Sequence, residues 1–524
     1  MTWQQEIDEL EQRRQLAYEL GGEERVDLHH ERGRYTIRER LEMIVDEGSF
    51  RERGVLAGRA EYEDGELKNF APSNYVMGTA KIDGRTLVVG GDDFTVRGGA
   101  ADGAVGGKSG HAERMARELR VPIIRLVDGT GGGGSVRTIE NIGRTYIPGN
   151  PSWDTLVGML AEVPVVAAAM GSVAGIGAAR VAASHFSVMV KGKSQVFIAG
   201  PVVVERGVGA EMNEDRQAGN EALGGSHIQV HQAGAVDNEA EDEEDAFHQI
   251  KAFLSYLPDN AWGIPPVVPT DDPADRRDEE LLSIMPRDRR RPYDVRELLG
   301  HVLDRDSFFE MTRHFGPGQV TAFGRINGHP VGVLANDPKM AGGGLDADGS
   351  DKMTKFVDLC DAFNVPIINF VDQPGFMLGV ASEAAGTIKR GVRALSAVYQ
   401  AVVPWATVVV RRAYGVAGAG HQNHSRWNYR IAWPSGDWGS LPIEGGVMAA
   451  YRRDIEAADD PEAYRTELEE KLNDLRSPFR TAEAFNIEEI IDPRETRELL
   501  SEWVELAYRS LHTIAGPKTR GTRP

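Results

Sequence analysis

The chain repeats its own sequence, and this repeat restricts the fold more than any other feature. The segment Val121-Pro-Ile-Ile-Arg-Leu-Val-Asp128 returns 244 residues later as Val365-Pro-Ile-Ile-Asn-Phe-Val-Asp372. Gly84 and Gly328 end a second pair of matching segments at the same spacing. Matches that keep both their order and their spacing indicate a duplicated domain.

The two copies meet in a segment of different composition. Residues 262–291 contain several prolines and then a basic cluster at 287–291, which is typical of an extended connection. We therefore predict an N-terminal domain at residues 1–285 and a C-terminal domain at residues 286–524. The acidic run at 236–247 is interpreted as a solvated surface.

Short apolar runs alternate with segments of helical periodicity in both copies. Residues 86–90 and 331–335 have the pattern of buried strands, whereas residues 109–119 and 352–363 have helical spacing. A strand, a helix and a second strand at these distances predict parallel βαβ units with right-handed crossovers. The expected fold class is α/β.

Charge and cysteine content exclude several functions. With 59 basic and 80 acidic residues the net charge is −21, which argues against a protein that binds nucleic acid or membrane surfaces. The single cysteine, Cys360, excludes an intrachain disulfide and any zinc site with two thiolates. The first 24 residues lack the apolar core of a signal peptide, so we expect a cytoplasmic location.

Glycine-rich segments follow three of the predicted strands. A glycine turn between a strand and a helix exposes backbone N–H groups, which bind a phosphate or an oxygen that becomes anionic during a reaction. Tight packing is the alternative explanation for such glycines, but matched clusters in both copies favour a functional role. The candidate positions are Gly131, Gly132, Gly133, Gly175, Gly415 and Gly418.

Other catalytic motifs are incomplete. Asp102 occupies the position of the first glycine of a phosphate-binding P-loop at Gly103–Ser109, which argues against an NTPase. His421 and His424 are three residues apart, but no third ligand is identifiable, so no metal site is expected. The chain has no Met-Lys-Met segment and therefore does not carry its own biotin in that form.

Six segments carry a resemblance to a known family. They are Asp93-Phe-Thr-Val-Arg-Gly-Gly99, Phe197-Ile-Ala-Gly-Pro201, Glu221-Ala-Leu-Gly-Gly225, Ala335-Asn-Asp-Pro338, Phe370-Val-Asp-Gln-Pro-Gly-Phe376 and Ala432-Trp-Pro434. Through them the chain resembles the carboxyltransferase (β) subunits of biotin-dependent acyl-CoA carboxylases, of the propionyl-CoA and methylcrotonyl-CoA carboxylase kind. The resemblance spans residues 10 to 510.

The resemblance implies a fold, an assembly and partners. It implies two crotonase-like α/β domains of the ββα-superhelix type in a homohexamer. In that family each site lies between the N-terminal half of one protomer, which binds the acyl-CoA thioester, and the C-terminal half of its neighbour, which receives carboxybiotin. A partner biotin carboxylase and biotin carboxyl carrier subunit would use the ATP and bicarbonate.

The resemblance also implies which backbone amides stabilise charge. By motif position, Gly175 and Ile176 would bind the thioester oxygen, and Val416 and Ala417 would bind the biotin oxygen. The family usually has a second glycine where this chain has Ile176, and the second loop also departs from the family pattern. A side chain leaves the N–H in place but restricts the backbone and narrows the site.

The acyl group and the direction of the reaction remain open at this point. The resemblance places Ala419, Trp438 and Pro442 in the acyl pocket, where Trp438 and Pro442 replace smaller residues of the family. A carboxyltransferase subunit of a biotin-dependent decarboxylase is one alternative. A scaffold that organises a carboxylase complex without catalysis is another.

Overall fold

A computed structural model describes residues 2–99, 107–129, 139–140, 143–147, 149–150, 152–208 and 216–524. Its N-terminal half contains eleven of the strands. They are β1 (Arg51–Glu52), β2 (Gly58–Glu63), β3 (Glu66–Pro72), β4 (Tyr75–Ile82), β5 (Arg85–Asp92), β6 (Ile123–Val127), β7 (Val165–Ala169), β8 (Ser172–Ala174), β9 (Phe186–Val190), β10 (Gln195–Phe197) and β11 (Asn238–Ala240).

The C-terminal half contains the other strands of the described chain. They are β12 (Phe309–Met311), β13 (Gln319–Ile326), β14 (His329–Asn336), β15 (Ile367–Gln373), β16 (Trp405–Tyr414), β17 (Tyr429–Ala432), β18 (Asp437–Gly439) and β19 (Glu489–Ile490). Strands β5 and β14 begin 244 residues apart, as do β6 and β15. The structure therefore reproduces the spacing of the sequence repeat.

The two large sheets have the same topology. The N-terminal sheet runs β1-β4-β5-β6-β7-β9-β11, and the C-terminal sheet runs β12-β13-β14-β15-β16-β17-β19, with β18 beside β16. In each sheet the first two pairings are antiparallel and the following ones are parallel. Parallel neighbours require crossover connections, which helices supply here. The predicted α/β class and its duplication are confirmed.

Helices cover the sheets and fill the chain ends. In the N-terminal half they are α1 (Gln4–Tyr18), α2 (Glu23–Glu31), α3 (Ile37–Ile44), α4 (Lys108–Leu119), α5 (Trp153–Met159), α6 (Ile176–Ala182), α7 (Pro201–Val208), α8 (Arg216–Gly224), α9 (Ser226–Gln229) and α10 (Glu243–Ser255). Thr36 and Glu39 form a capping box at the start of α3. Asp242 caps α10 by accepting a hydrogen bond from the Asp245 N–H.

The helices of the C-terminal half are α11 (Val295–Val302), α12 (Ala347–Ala362), α13 (Val380–Ala384), α14 (Thr387–Gln400), α15 (Gly415–Ala419), α16 (Ile443–Ala450), α17 (Arg452–Ala457), α18 (Pro461–Asn473), α19 (Pro478–Glu483) and α20 (Thr496–Leu511). Aspartates cap three of them, α11, α12 and α18. Among the described residues, no helix combines the length and the apolar character that a membrane span requires.

One hydrophobic core joins the two halves. Phe186 and Phe253 of the N-terminal half stack with ring centroids 4.9 Å apart, and Phe253 meets Phe323 of the C-terminal half edge to face at 5.9 Å. Lys355 also reaches across to Asp237, which is buried, with an N–O distance of 2.8 Å. These contacts hold the halves against each other, because separating them would expose fully buried aromatic rings.

The connection between the halves is packed rather than free. Leu281 and Tyr293 are buried in the C-terminal core, and the buried Arg497 of α20 donates to the carbonyl oxygens of Asp272 and Pro273. The boundary between residues 285 and 286 stays a prediction. The interpretation of residues 236–247 as solvated surface was wrong in part, because Glu243 is buried against Arg40.

The single thiol lies inside the core shared by both halves. The Cys360 side chain is fully buried on α12, and burial raises its pKa well above the usual range for cysteine. We expect a thiol reagent such as dithionitrobenzoate to leave the native protein unmodified within minutes and to titrate the thiol in denaturant. Fast stoichiometric reaction of the native protein would contradict the burial.

Candidate active site in two matched cavities

A glycine turn in the N-terminal half presents free backbone amides. Gly175 joins β8 to α6 with φ at 61°, a region that side chains disfavour, and a Cβ there would meet no atom within 4 Å. Its own N–H donates to the Phe197 carbonyl oxygen at 3.2 Å. Within the described chain, the N–H groups of Ile176 and Gly177 have no backbone acceptor, as expected for the first turn of a helix.

The C-terminal half has the same turn. Gly415 follows β16 with φ at 60° and begins α15. The N–H groups of Val416 and Ala417 have no acceptor among the described residues. In each half, a strand is therefore followed by a glycine with positive φ and by two unengaged amides, that is, N–H groups without an acceptor among the described residues. Such amides stabilise an oxygen that gains negative charge.

A cavity of about 630 Å³ lies beside the first pair of amides. Ile176 and Gly177 line it together with the ends of β5 and β6 and the inner face of α4. Its described lining includes four charged residues, which are Asp92, Glu113, Arg125 and Arg180. Sequence reasoning missed this polar group, since its members are scattered over two strands and two helices.

Glu113 joins the two arginines of this cavity. Its Oε1 atom lies 3.4 Å from Arg125 Nη1 and 3.2 Å from Arg180 Nε. Glu113 and Arg125 are 1% and 3% exposed. Glu113 Oε2 and Arg125 Nε have no hydrogen-bond partner in the described part of the chain. Burial lowers the pKa of the Arg125 guanidinium to about 10, so it stays charged at neutral pH.

Asp92 is the fourth charged group of the N-terminal cavity. Burial raises the pKa of its carboxyl to about 7, and the nearby Asp128 and Asp93 charges add to the rise. The Asp128 N–H, which donates to Asp92 Oδ2 at 3.1 Å, and the Arg180 charge oppose it. Asp92 therefore changes its protonation within the physiological range.

The C-terminal half has a matching cavity of about 520 Å³ beside Ala417. None of its described lining residues is an acid, a lysine or an arginine. Asn336 stands where Asp92 stands in the first cavity, accepts from the Asp372 N–H at 2.9 Å and donates to Gln319 at 2.9 Å. The second cavity is thus lined by neutral amides and apolar side chains.

The predicted acyl-pocket residues are partly brought together. Ala419 and Trp438 line a third cavity of about 960 Å³, with Gly415 and Gly418 beside them. Pro442 instead precedes helix α16. His421 also borders this cavity, and burial lowers its pKa to about 4, so it is neutral at physiological pH. Gly131, Gly132 and Gly133 lie outside the described residues.

A buried aspartate at the end of the repeated segment pairs with arginine in each half. Asp128 pairs with Arg40 at 2.7 Å, and Asp372 pairs with Arg411 at 2.7 Å and with Arg412 at 2.6 Å. Burial alone would raise the pKa of Asp372, but hydrogen bonds from Arg412 and Arg411 outweigh this effect and lower the pKa below its usual range. The repeated Val-Asp at 127–128 and 371–372 was the sequence signal that could have identified these positions.

Comparison with known proteins explains the matched halves. Residues 28–521 match the model of the carboxyl transferase domain. The chain belongs to the carboxyl transferase domain family. The resemblance seen in the sequence is thereby confirmed over nearly the whole chain.

The relatives of this family member are full-length matches. The propionyl-CoA carboxylase carboxyltransferase subunit of Haloferax mediterranei is 35% identical over 95% of both chains. The methylmalonyl-CoA decarboxylase subunit alpha of Veillonella parvula is 31% identical over 100% of this chain and 99% of its own. The solved transcarboxylase 12S structure is described as a hexamer assembly with methylmalonyl-CoA bound. It superimposes on this chain with a TM-score of 0.86.

The transcarboxylase 12S structure is 31% identical in sequence to this chain, and the match covers 100% of this chain and 97% of the 12S chain. A match of this quality confirms the predicted fold class, two crotonase-like α/β domains in tandem. The glycine turns, the matched cavities and the buried aspartates of this chain therefore lie within a carboxyltransferase fold.

Proposed function

We propose that this protein is the carboxyltransferase subunit of a biotin-dependent acyl-CoA carboxylase. It transfers a carboxyl group from carboxybiotin, held by a partner carrier, to the α or vinylogous carbon of an acyl-CoA. The matched pairs of unengaged amides after Gly175 and Gly415 carry this proposal, because the reaction develops negative charge on two oxygens. The family relationship supports it independently.

The first pair of amides serves the thioester. When the proton leaves the carbon next to the thioester, negative charge moves to the thioester oxygen, which needs donors in fixed positions. We assign this role to the N–H groups of Ile176 and Gly177. Gly175, predicted as a member of the pair, acts through its positive φ, since its N–H already donates to Phe197.

The second pair serves biotin. Bound carboxybiotin would supply the CO2 and, once CO2 has left, the base. The Val416 and Ala417 N–H groups would donate to the ureido oxygen. The neighbouring cavity fits a neutral, amide-like ring, because its polar lining consists of Gln319, Asn336 and other uncharged groups. This chemistry needs no acidic or basic side chain at the reacting atoms.

The assembly and the partners extend this proposal. We propose a homohexameric core in which the N-terminal half of one protomer faces the C-terminal half of its neighbour, as the resemblance implies. The solved 12S relative is a hexamer. A biotin carboxylase and biotin carboxyl carrier subunit would carboxylate biotin with ATP and bicarbonate. The cytoplasmic location stays a prediction.

A carboxyltransferase of a decarboxylase complex is the second candidate. The Veillonella parvula relative is named a methylmalonyl-CoA decarboxylase subunit at 31% identity over the whole chain. Both activities need the same exchange of a carboxyl group between a CoA thioester and biotin. Co-purification with membrane subunits would favour the decarboxylase, and co-purification with a biotin carboxylase would favour the carboxylase.

The reverse half-reaction tests the proposal on the purified protein. Malonyl-, methylmalonyl- and methylglutaconyl-CoA, together with larger carboxyacyl-CoAs, would be incubated with free biotin. We expect biotin-dependent loss of the carboxyl group from at least one of them, measured as released CO2. Folded, assembled protein that turns over none of the panel would favour the non-catalytic scaffold.

A further inference from the structure

The two cavities beside the amide pairs are the same site in two copies, and their lining has diverged. Residue pairs at the spacing of the repeat line both of them: Tyr75 and Gln319, Gly90 and Leu334, Asp92 and Asn336, Ser109 and Met353, Arg125 and Asn369, and Val127 and Val371. The duplication thus provides an internal comparison, in which six positions of the N-terminal cavity have a counterpart in the lining of the C-terminal cavity.

The two cavity linings differ in their charged residues. Asp92, Glu113 and Arg125 correspond to Asn336, Val357 and Asn369, all of them uncharged. At the 240-residue spacing of the glycine turns, Arg180 corresponds to Gly420. The backbone contact is retained, since Asp92 and Asn336 accept from the N–H groups of Asp128 and Asp372, the last residues of the repeated segments 121–128 and 365–372. The charged groups are therefore a property of the N-terminal cavity and not of the fold.

The charged groups leave hydrogen-bonding capacity unused. Glu113 Oε2 is an acceptor without a donor, and Arg125 Nε is a donor without an acceptor, among the described residues. Both side chains are more than nine-tenths buried and line the cavity. A buried polar atom without a partner is unfavourable, so a ligand that pairs with both atoms gains affinity.

We propose that the N-terminal cavity binds an acyl group with a neutral hydrogen-bonding substituent, a hydroxyl, beyond its α-carbon. This inference rests on the proposed function. A hydroxyl donates to Glu113 and accepts from Arg125. A carboxylate can accept from Arg125 but cannot donate to Glu113, and a plain alkyl chain would leave both groups unpaired. Ile176 and Gly177, to whose amides we assign the thioester oxygen, line the same cavity.

Binding of matched CoA thioesters tests the inference. Isothermal titration of the purified, assembled protein would compare 3-hydroxybutyryl-CoA with butyryl-CoA and with isovaleryl-CoA, in which a methyl group replaces the hydroxyl. A hydrogen bond to a charged group predicts a Kd about 10- to 100-fold lower for the hydroxylated thioester. Equal or weaker binding of 3-hydroxybutyryl-CoA would overturn the inference and leave the proposed function intact.

Failure of the proposed function gives a different result. If none of the thioesters binds and none of the carboxyacyl-CoAs is turned over with biotin, both proposals fall. If butyryl-CoA and isovaleryl-CoA bind but 3-hydroxybutyryl-CoA binds no more tightly than they do, the inference about the hydroxyl falls and the proposed function stands.

Variants that copy the C-terminal half show which residues create the preference. The double variant Glu113→Val with Arg125→Asn removes both charges together, and we expect the Kd ratio between the two thioesters to fall to about one. Glu113→Gln removes the charge but keeps an oxygen that can accept from Arg125 and Arg180, so it should fold if the double variant does not. We expect it to lower the ratio severalfold, because a hydrogen bond to a carboxylate is stronger than one to a neutral amide. An unchanged ratio in a folded double variant would contradict the assignment.

Discussion

Ile176→Pro is expected to lower kcat in the reverse half-reaction by about 10²- to 10³-fold, because it deletes one donor to the thioester oxygen. Loss of one such donor typically raises the barrier by about 2.7–4 kcal/mol. Ile176 is the first residue of helix α6, where proline is well tolerated because that N–H has no helical acceptor. The substitution therefore removes the N–H and leaves the helix in place.

Ile176→Leu is the matched control, since it changes the side chain and keeps the N–H. Its kcat should stay within a few-fold of the original protein. Val416→Pro makes the corresponding change in the other half, in the first turn of α15, and should cause a loss of similar size. Release of CO2 in the presence of biotin is the measurement. Full activity of both proline variants, with assembly unchanged, would refute the assigned amides.

Asp372→Ala should lower the free energy of unfolding by about 3–5 kcal/mol, because it leaves buried positive charge without a partner. Asp372 is 0% exposed and accepts hydrogen bonds from Arg411, which is 2% exposed, and from Arg412. The change should appear as a Tm lower by several degrees in differential scanning calorimetry. Glu456→Ala breaks the exposed pair with Arg452 and should change the Tm little.

The stabilisation by Asp372 should depend on pH in a defined direction. Its pKa in the folded protein is lower than in the unfolded chain, so the contribution is present above the unfolded value, about 3.9, and is lost as the pH falls through the folded value. The Tm difference between the original protein and Asp372→Ala should be constant from pH 8 to 5 and should shrink below about pH 4. A difference that grows on acidification would contradict this sign.

The repeat could be recognised in the sequence because the buried strands of a parallel sheet have a characteristic apolar pattern. Buried strands such as Val121–Asp128 and Val365–Asp372 are apolar runs that are interrupted at Arg125 and Asn369 and end in an aspartate, and this pattern survives divergence. The glycines at 175 and 415 were equally visible, since a turn with positive φ excludes most other residues. Fold class, duplication and the places of the amide turns followed from these patterns.

The partners of the charged groups could not be predicted from the sequence. Glu243 lies in an acidic run that resembles a solvated surface, yet it pairs with Arg40, 203 residues earlier in the chain, inside the protein. Nothing in the local pattern distinguishes an exposed glutamate from one that meets a distant arginine. The same holds for the N–H of Gly175, whose acceptor on β10 appears only when the strands are assembled.

The sequence by itself thus determined two copies of an α/β unit, the buried strands that carry the repeat and the glycine turns at which oxygens can be bound. These are properties of local periodicity and backbone conformation, which each segment carries alone. Only the tertiary structure decided which amides are unengaged, and that Asp92, Glu113 and Arg125 share one cavity. Charge and hydrogen bonding there depend on distances between segments that are far apart along the chain.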